Sequence, residues 1–107
     1  MGQEPASLET HHPMAQHVVR HVGRRFECLV EGQRSVLEYF VRDETMVITH
    51  TGVPPSLEGR GIASSLAKTA VEWAHEQDLS VDPQCWFVAQ YMQRKGLSND
   101  PPPPKHL

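Results

Sequence analysis

One stretch, Thr49 to Ser65 (THTGVPPSLEGRGIASS), constrains this chain more than any other. A polar and β-branched run, Met46 to Thr51, leads into it. Pro54 and Pro55 end that run, because proline fixes φ and has no N–H for a strand ladder. Gly59 and Gly61 follow, and an apolar pattern at helical spacing opens at Ile62. The order reads as strand, turn, glycine loop and helix start. The first turn of a helix has N–H groups without intrahelical acceptors and carries partial positive charge. Glycines just before it let a ligand approach the main chain. The stretch therefore predicts an anion cradle built from backbone.

Two other phosphate loops are excluded. Gly-x-x-x-x-Gly-Lys-Ser/Thr is absent. Gly59-x-Gly61 is half of a dinucleotide fingerprint, but Ser64 replaces the third glycine, and 107 residues are too few for a full dinucleotide fold.

At 38% hydrophobic residues the chain supports one small domain with one core. A net charge of −3 argues against a general nucleic-acid surface. No apolar run approaches membrane-spanning length, and no basic-then-apolar secretory pattern opens the chain, so a cytoplasmic location is expected. Cys28 and Cys85 read as reduced thiols in that setting. The seven histidines are scattered without paired ligand spacing, so no metal is expected.

Residues 1–16 are polar and aperiodic and read as a flexible arm. Four strands follow: His17 to Val22, Phe26 to Glu31, Ser35 to Arg42, and Thr45 to Val53. Phe26, Cys28 and Val30 share one face of the second. The turn signals between them are short, which predicts an antiparallel meander. After the glycine loop, Ile62, Leu66, Ala70, Trp73 and Ala74 form one helical stripe, flanked by Ala63 and Ala67. Leu79 to Val81 reads as a fifth strand. Trp86 to Lys95 reads as a last helix, with Phe87, Val88, Tyr91 and Met92 inward and Gly96 as its stop. The domain spans 17–97. Residues 98–107, with four consecutive prolines, read as an extended tail. The fold class is α/β, or α+β.

Val53-Pro54-Pro55 followed by Glu58-Gly59-Arg60-Gly61-Ile62-Ala63 resembles the acetyl-coenzyme A loop of the Gcn5-related N-acetyltransferases. In that superfamily a strand ends in Val-x-Pro, and Arg/Gln-x-x-Gly-x-Gly/Ala opens a helix. The match is nearest the small, single-domain YjdJ-type branch and covers about His17 to Gly96. The resemblance implies a minimal acetyltransferase fold whose fourth and fifth strands splay apart. The pantetheine arm enters that gap and pairs with fourth-strand backbone. It also implies acetyl-coenzyme A as co-substrate, held by Thr51, Val53, Glu58, Gly59, Arg60, Gly61, Ile62, Ala63 and Ser64. Glu58 departs from the family's Arg or Gln, so the cradle relies on backbone N–H groups and Arg60.

The candidate catalytic residues are Cys85 and His50. The superfamily pattern Asn-x-x-Ala-x-x-x-Tyr-x-x-x-Gly falls here on Cys85, Val88, Met92 and Gly96. The usual acid is thus Met92, with Tyr91 one residue away. In the YjdJ-type branch, the resemblance implies an active-site cysteine where Cys85 stands. A helix start lowers a thiol pKa. The other reading of Cys85 is a small buried hydrophobe. His50 reads either as the base that deprotonates an amine or as a half-buried strand histidine. Glu38 and Glu58 are weaker candidates for the base.

The expected function is transfer of acetyl from acetyl-coenzyme A to an amine, on a small molecule or a protein. The expected protein is a monomer or weak homodimer, without nucleic-acid or membrane partners. The alternative is a non-catalytic coenzyme A-binding or partner-binding module with the same fold.

Overall fold

The computed structural model describes residues 17–102. The expected arm, 1–16, and the end of the expected tail lie outside the described residues. The strands are β1 (Arg20–Val22), β2 (Arg25–Val30), β3 (Gln33–Arg42), β4 (Thr45–Gly52) and β5 (Ser80–Pro83). A short 3-10 turn, Pro55–Leu57, follows β4. The helices are α1 (Ile62–Glu76) and α2 (Trp86–Lys95).

The expected meander is present: β1 to β4 are neighbours in sequence order and antiparallel. Tight turns set it. Glu31 and Gly32 between β2 and β3, and Asp43 and Glu44 between β3 and β4, all have positive φ. That geometry matches the right-handed twist of a two-residue hairpin. The crossover through α1 makes β5 parallel to β4. The fifth strand runs slightly later than its apolar residues indicate, through Asp82 and Pro83. Its outer edge is occupied: the Val81 N–H donates to the Asn99 carbonyl at 2.7 Å, and Asn99 Nδ2 donates to the Val81 carbonyl at 2.9 Å. Within the segment expected as an extended tail, Asn99 thus docks on β5.

Both helices pack on one face of the sheet. Phe26, Leu37, Met46, Ile48, Leu66, Ala70 and Val88 are fully buried between the layers. Each large side chain stabilises by roughly 1.5–3 kcal/mol through its burial. The alanine stripe of α1 (Ala67, Ala70, Ala74) lets that helix lie close on the sheet. Trp73 completes an aromatic group with His21, Phe26 and Tyr39 at one end.

Candidate active site

β4 carries a bulge that decides what faces the helices. Tyr39 pairs with Ile48, but Glu38 pairs with His50, so Thr49 is an extra residue. The Thr49 hydroxyl donates to the Glu38 carbonyl at 3.3 Å. Side chains alternate along a strand, and one inserted residue reverses the parity beyond it. Met46 and Ile48 face the core, and beyond the bulge Thr51, paired with Leu37, takes that face. His50 pairs with Glu38 on the outer face, and both are exposed. Gly52 leaves room for the His50 ring: a Cβ there would meet Nε2 at 3.0 Å.

β4 and β5 pair only from Thr45↔Ser80 to Ile48↔Pro83. The Gln84 N–H then donates to the Ile48 carbonyl at 2.9 Å, and the ladder stops there. β4 continues to Gly52 without a partner on that side. This is the splay that the resemblance implies. A cleft of about 460 Å³ opens there, lined by Thr51, Val53, Leu57, Glu58, Gly59, Gly61, Ile62, Ala63, Ser64 and Phe87. Eight of the nine expected cofactor-binding residues therefore come together, and Arg60 is the one left out.

The loop geometry suits an anion. Gly59 and Gly61 have φ of 86° and 83°, in the left-handed region that side chains with a Cβ resist. Open space surrounds the position of a Cβ on Gly59. The Ser65 N–H makes the first bond of α1, to the Gly61 carbonyl at 3.0 Å. The N–H groups of Ile62, Ala63 and Ser64 precede it and have no intrahelical acceptor. A diphosphate fits this helix start, and an apolar arm fits the walls formed by Val53, Leu57, Ile62 and Phe87.

Leu57 and Phe87 were not among the expected site residues. Leu57 is fully buried and pins the loop to the core between two exposed segments. A lone leucine between two proline-serine and glutamate-glycine steps is the signal that marks it. Phe87 is half-buried and turns toward the cleft because α2 starts there.

Arg60 donates to Glu31 at 2.7 Å, an exposed ion pair between the glycine loop and the β2–β3 turn. The Arg60 carbonyl accepts from His17 Nε2 at 2.8 Å. Its guanidinium is thus directed away from the cleft. Glu58 stands at the rim, exposed.

Cys85 is the residue that caps the start of α2. Its Sγ lies 3.5 Å from Thr51 Oγ1. Burial pushes the thiol up. The Thr51 hydroxyl and the backbone N–H groups of Val88, Phe87 and Thr51 act against this, and the net shift is downward. Cys28, in mid-strand, is pushed up by burial alone. Both cysteines are free. Met92, at the register of the family tyrosine, is buried in the core. Tyr91 is also buried, and burial raises its pKa; Lys68 and Glu72 of α1 and Arg94 of α2 are its charged neighbours. The described residues hold no cluster of three or more metal-ligating side chains.

A five-stranded, mostly antiparallel sheet that splays at a glycine-opened helix defines an acetyltransferase-type fold. A family profile described as GCN5-related N-acetyl-transferase matches residues 25–100. The chain belongs to that family. It is similar to Protein NATD1 of Xenopus tropicalis, 38% identical over 77 residues that cover 69% of this chain and 71% of the relative. Human Protein NATD1 is 36% identical over 77 residues, covering 69% and 68% respectively. A GCN5-like protein from Staphylococcus aureus, solved by NMR, superposes with a TM-score of 0.57 at 29% identity, over 74% of this chain and 79% of that one.

Proposed function

We propose that the cleft binds acetyl-coenzyme A and that the protein transfers the acetyl group to an amine. The observation that carries this is the cleft itself: unpaired N–H groups of a helix start at one end, the unpartnered edge of β4 along one side, and Cys85 beside Thr51. Bound acetyl-coenzyme A supplies the activated acetyl group. The loop from Glu58 to Ser64 holds its diphosphate through main-chain N–H groups. The free edge of β4 offers backbone partners to the pantetheine amides.

Two routes use these residues. In the direct one, the amine nitrogen attacks the thioester carbonyl, the C–S bond breaks, and the amine's proton passes to a base. His50 serves an amine arriving from the outer face. In the other, the Cys85 thiolate attacks the thioester carbonyl and coenzyme A leaves as its thiolate; the amine then attacks the acetyl-cysteine, its C–S bond breaks, Cys85 leaves as thiolate, and the amine's proton passes to a base. The depressed thiol pKa supports Cys85 as a nucleophile. A reduced Cys85 suits an intracellular setting.

A coenzyme A-binding module without catalysis draws on a different observation: the register of the family acid holds Met92, buried, and Tyr91 faces α1. Calorimetry with acetyl-coenzyme A, followed by a thiol-release assay over a panel of amines and peptides, separates the readings. Binding with amine-dependent release is expected. Binding without release for any amine favours the module. Absence of binding ends both.

A further inference from the structure

Both helices lie on one face of the sheet, and the opposite face carries most of the exposed strand residues. That face is rich in arginine although the chain as a whole carries −3. Arg20 stands opposite Glu27 in the β1–β2 register. Arg25 Nε is paired with Glu27, and Arg34 Nε lies 3.9 Å from the same carboxylate oxygen. Two guanidinium groups thus share one carboxylate, with Arg20 in register beside it. The Glu27 side chain is only 13% exposed, against 42% for Arg25 and 61% for Arg34, so donors on the arginines still face solvent. Glu27 is held below the usual carboxylate range, first by its hydrogen bond from Arg25; burial opposes this, and the charges of Arg25, Arg34 and Arg20 reinforce it. It stays ionised and leaves the cluster short of anions.

This cluster connects to the proposed reaction centre. Arg25 pairs with Glu38, and Glu38 pairs with His50, so the three form one row across β2, β3 and β4. Two strand spacings, about 10 Å, separate its ends. A groove of about 440 Å³ lies beside the row, walled by Arg24, Arg25, Glu38, Tyr39, Phe40 and Thr49. It ends at the bulge, where the β4–β5 ladder stops and the sheet opens toward Cys85. Leu29, 66% exposed, pairs with Arg34 on the same face.

We propose that the acceptor amine is carried by an acidic polypeptide segment lying across this outer face, its carboxylates on Arg20, Arg25 and Arg34 and its amine at the β4–β5 gap beside His50. An extended chain advances about 3.3 Å per residue, so an amine and a carboxylate some three residues apart span the row. The spread of arginines over three strands calls for a polymer rather than a small anion. The interleaved Glu27 and Glu38, with exposed Leu29, suit a peptide better than a phosphate backbone. The amine's role rests on the acetyl-transfer reading; the docking rests on this face alone.

The test is fluorescence anisotropy on the full chain without acetyl-coenzyme A. The probes are peptides of about twelve residues, extended to roughly 40 Å, in acidic, neutral and basic versions that each contain one lysine, and a single-stranded oligonucleotide of similar length. The acidic peptide should bind best, and more weakly as salt rises. Arg34→Gln and Arg25→Gln, checked by thermal melting, should together weaken it by at least about tenfold. Equal affinity for the acidic and neutral peptides, tighter oligonucleotide binding, or no loss in folded variants overturns the proposal. Calorimetry with acetyl-coenzyme A on the same samples keeps the two readings apart. Peptide binding without cofactor binding ends the transfer reading alone. Cofactor binding without preference for the acidic peptide ends this one alone.

Discussion

Cys85 Sγ lies 3.5 Å from Thr51 Oγ1, across 34 residues of sequence. The contact joins the free end of β4 to the cap of α2, at the point where the sheet opens. It supplies the side-chain donor that offsets the effect of burial on the Cys85 thiol.

Thr51→Val keeps the shape and removes that donor. The Cys85 thiol should then titrate at higher pH, because burial is opposed only by backbone N–H groups. Alkylation by iodoacetamide, followed by intact mass over a pH series, should show its midpoint moving upward in the variant. In both proteins Cys28 should stay unmodified, since it is buried at 1% exposure and its pKa is raised. An unchanged midpoint would show that Thr51 does not set the thiol pKa.

On the acetyl-cysteine route, Cys85→Ala should abolish acetyl transfer while leaving acetyl-coenzyme A affinity within about twofold, well under 1 kcal/mol; on the direct route activity should fall only modestly. Incubation of the unaltered protein with acetyl-coenzyme A should give an acetyl adduct on Cys85 that an acceptor amine discharges. Full activity in Cys85→Ala would remove this residue from the chemistry and leave it as packing.

Gly61→Asp places a Cβ at φ 83° and a carboxylate at the cap of α1. Acetyl-coenzyme A binding should weaken by well over tenfold, more than 1.4 kcal/mol. Gly61→Asn tolerates the same backbone without the charge and should lose less. Equal affinities in glycine, aspartate and asparagine forms would place the diphosphate elsewhere.

Glu31→Gln releases Arg60 from its ion pair. The pair is exposed on both sides, 45% and 59%, so stability should change by less than about 1 kcal/mol. The freed guanidinium can then turn toward the anion, and coenzyme A affinity should rise a few-fold at low salt. No gain in affinity would show that Arg60 does not reach the bound ligand.

A stop after Leu97 removes the Asn99 bonds to Val81 and the Ser80–Asp100 contact. At about 1 kcal/mol per hydrogen bond the loss is roughly 2–3 kcal/mol. Melting temperature should fall by about 10 °C or more for a domain of this size. A stop after Asp100 should leave it nearly unchanged. Identical melting curves for the two truncations would show that Asn99 adds nothing to the β5 edge.

The order of elements was legible in the sequence because each rests on local rules. Alternation marked β2 and β3, the hairpin signals marked the meander, and the spacing from Ile62 to Ala74 marked α1. The glycine loop was legible for the same reason: Gly59 and Gly61 answer a backbone requirement that only their own neighbours impose. Other features depend on partners far along the chain. Strict alternation from Met46 and Ile48 would send His50 to the core face; the extra residue Thr49 reverses that and turns Thr51 to Cys85. A bulge is a property of two strands in register, so β4 alone does not reveal it. The pairing of Arg60 with Glu31, the docking of Asn99 on β5, and the approach of Arg34 to Glu27 are likewise contacts between segments. The glycine loop at a helix start and the fold class follow from residue types read along the chain. Tertiary packing decided which side chains face that loop, because strand register, not residue type, selects the face.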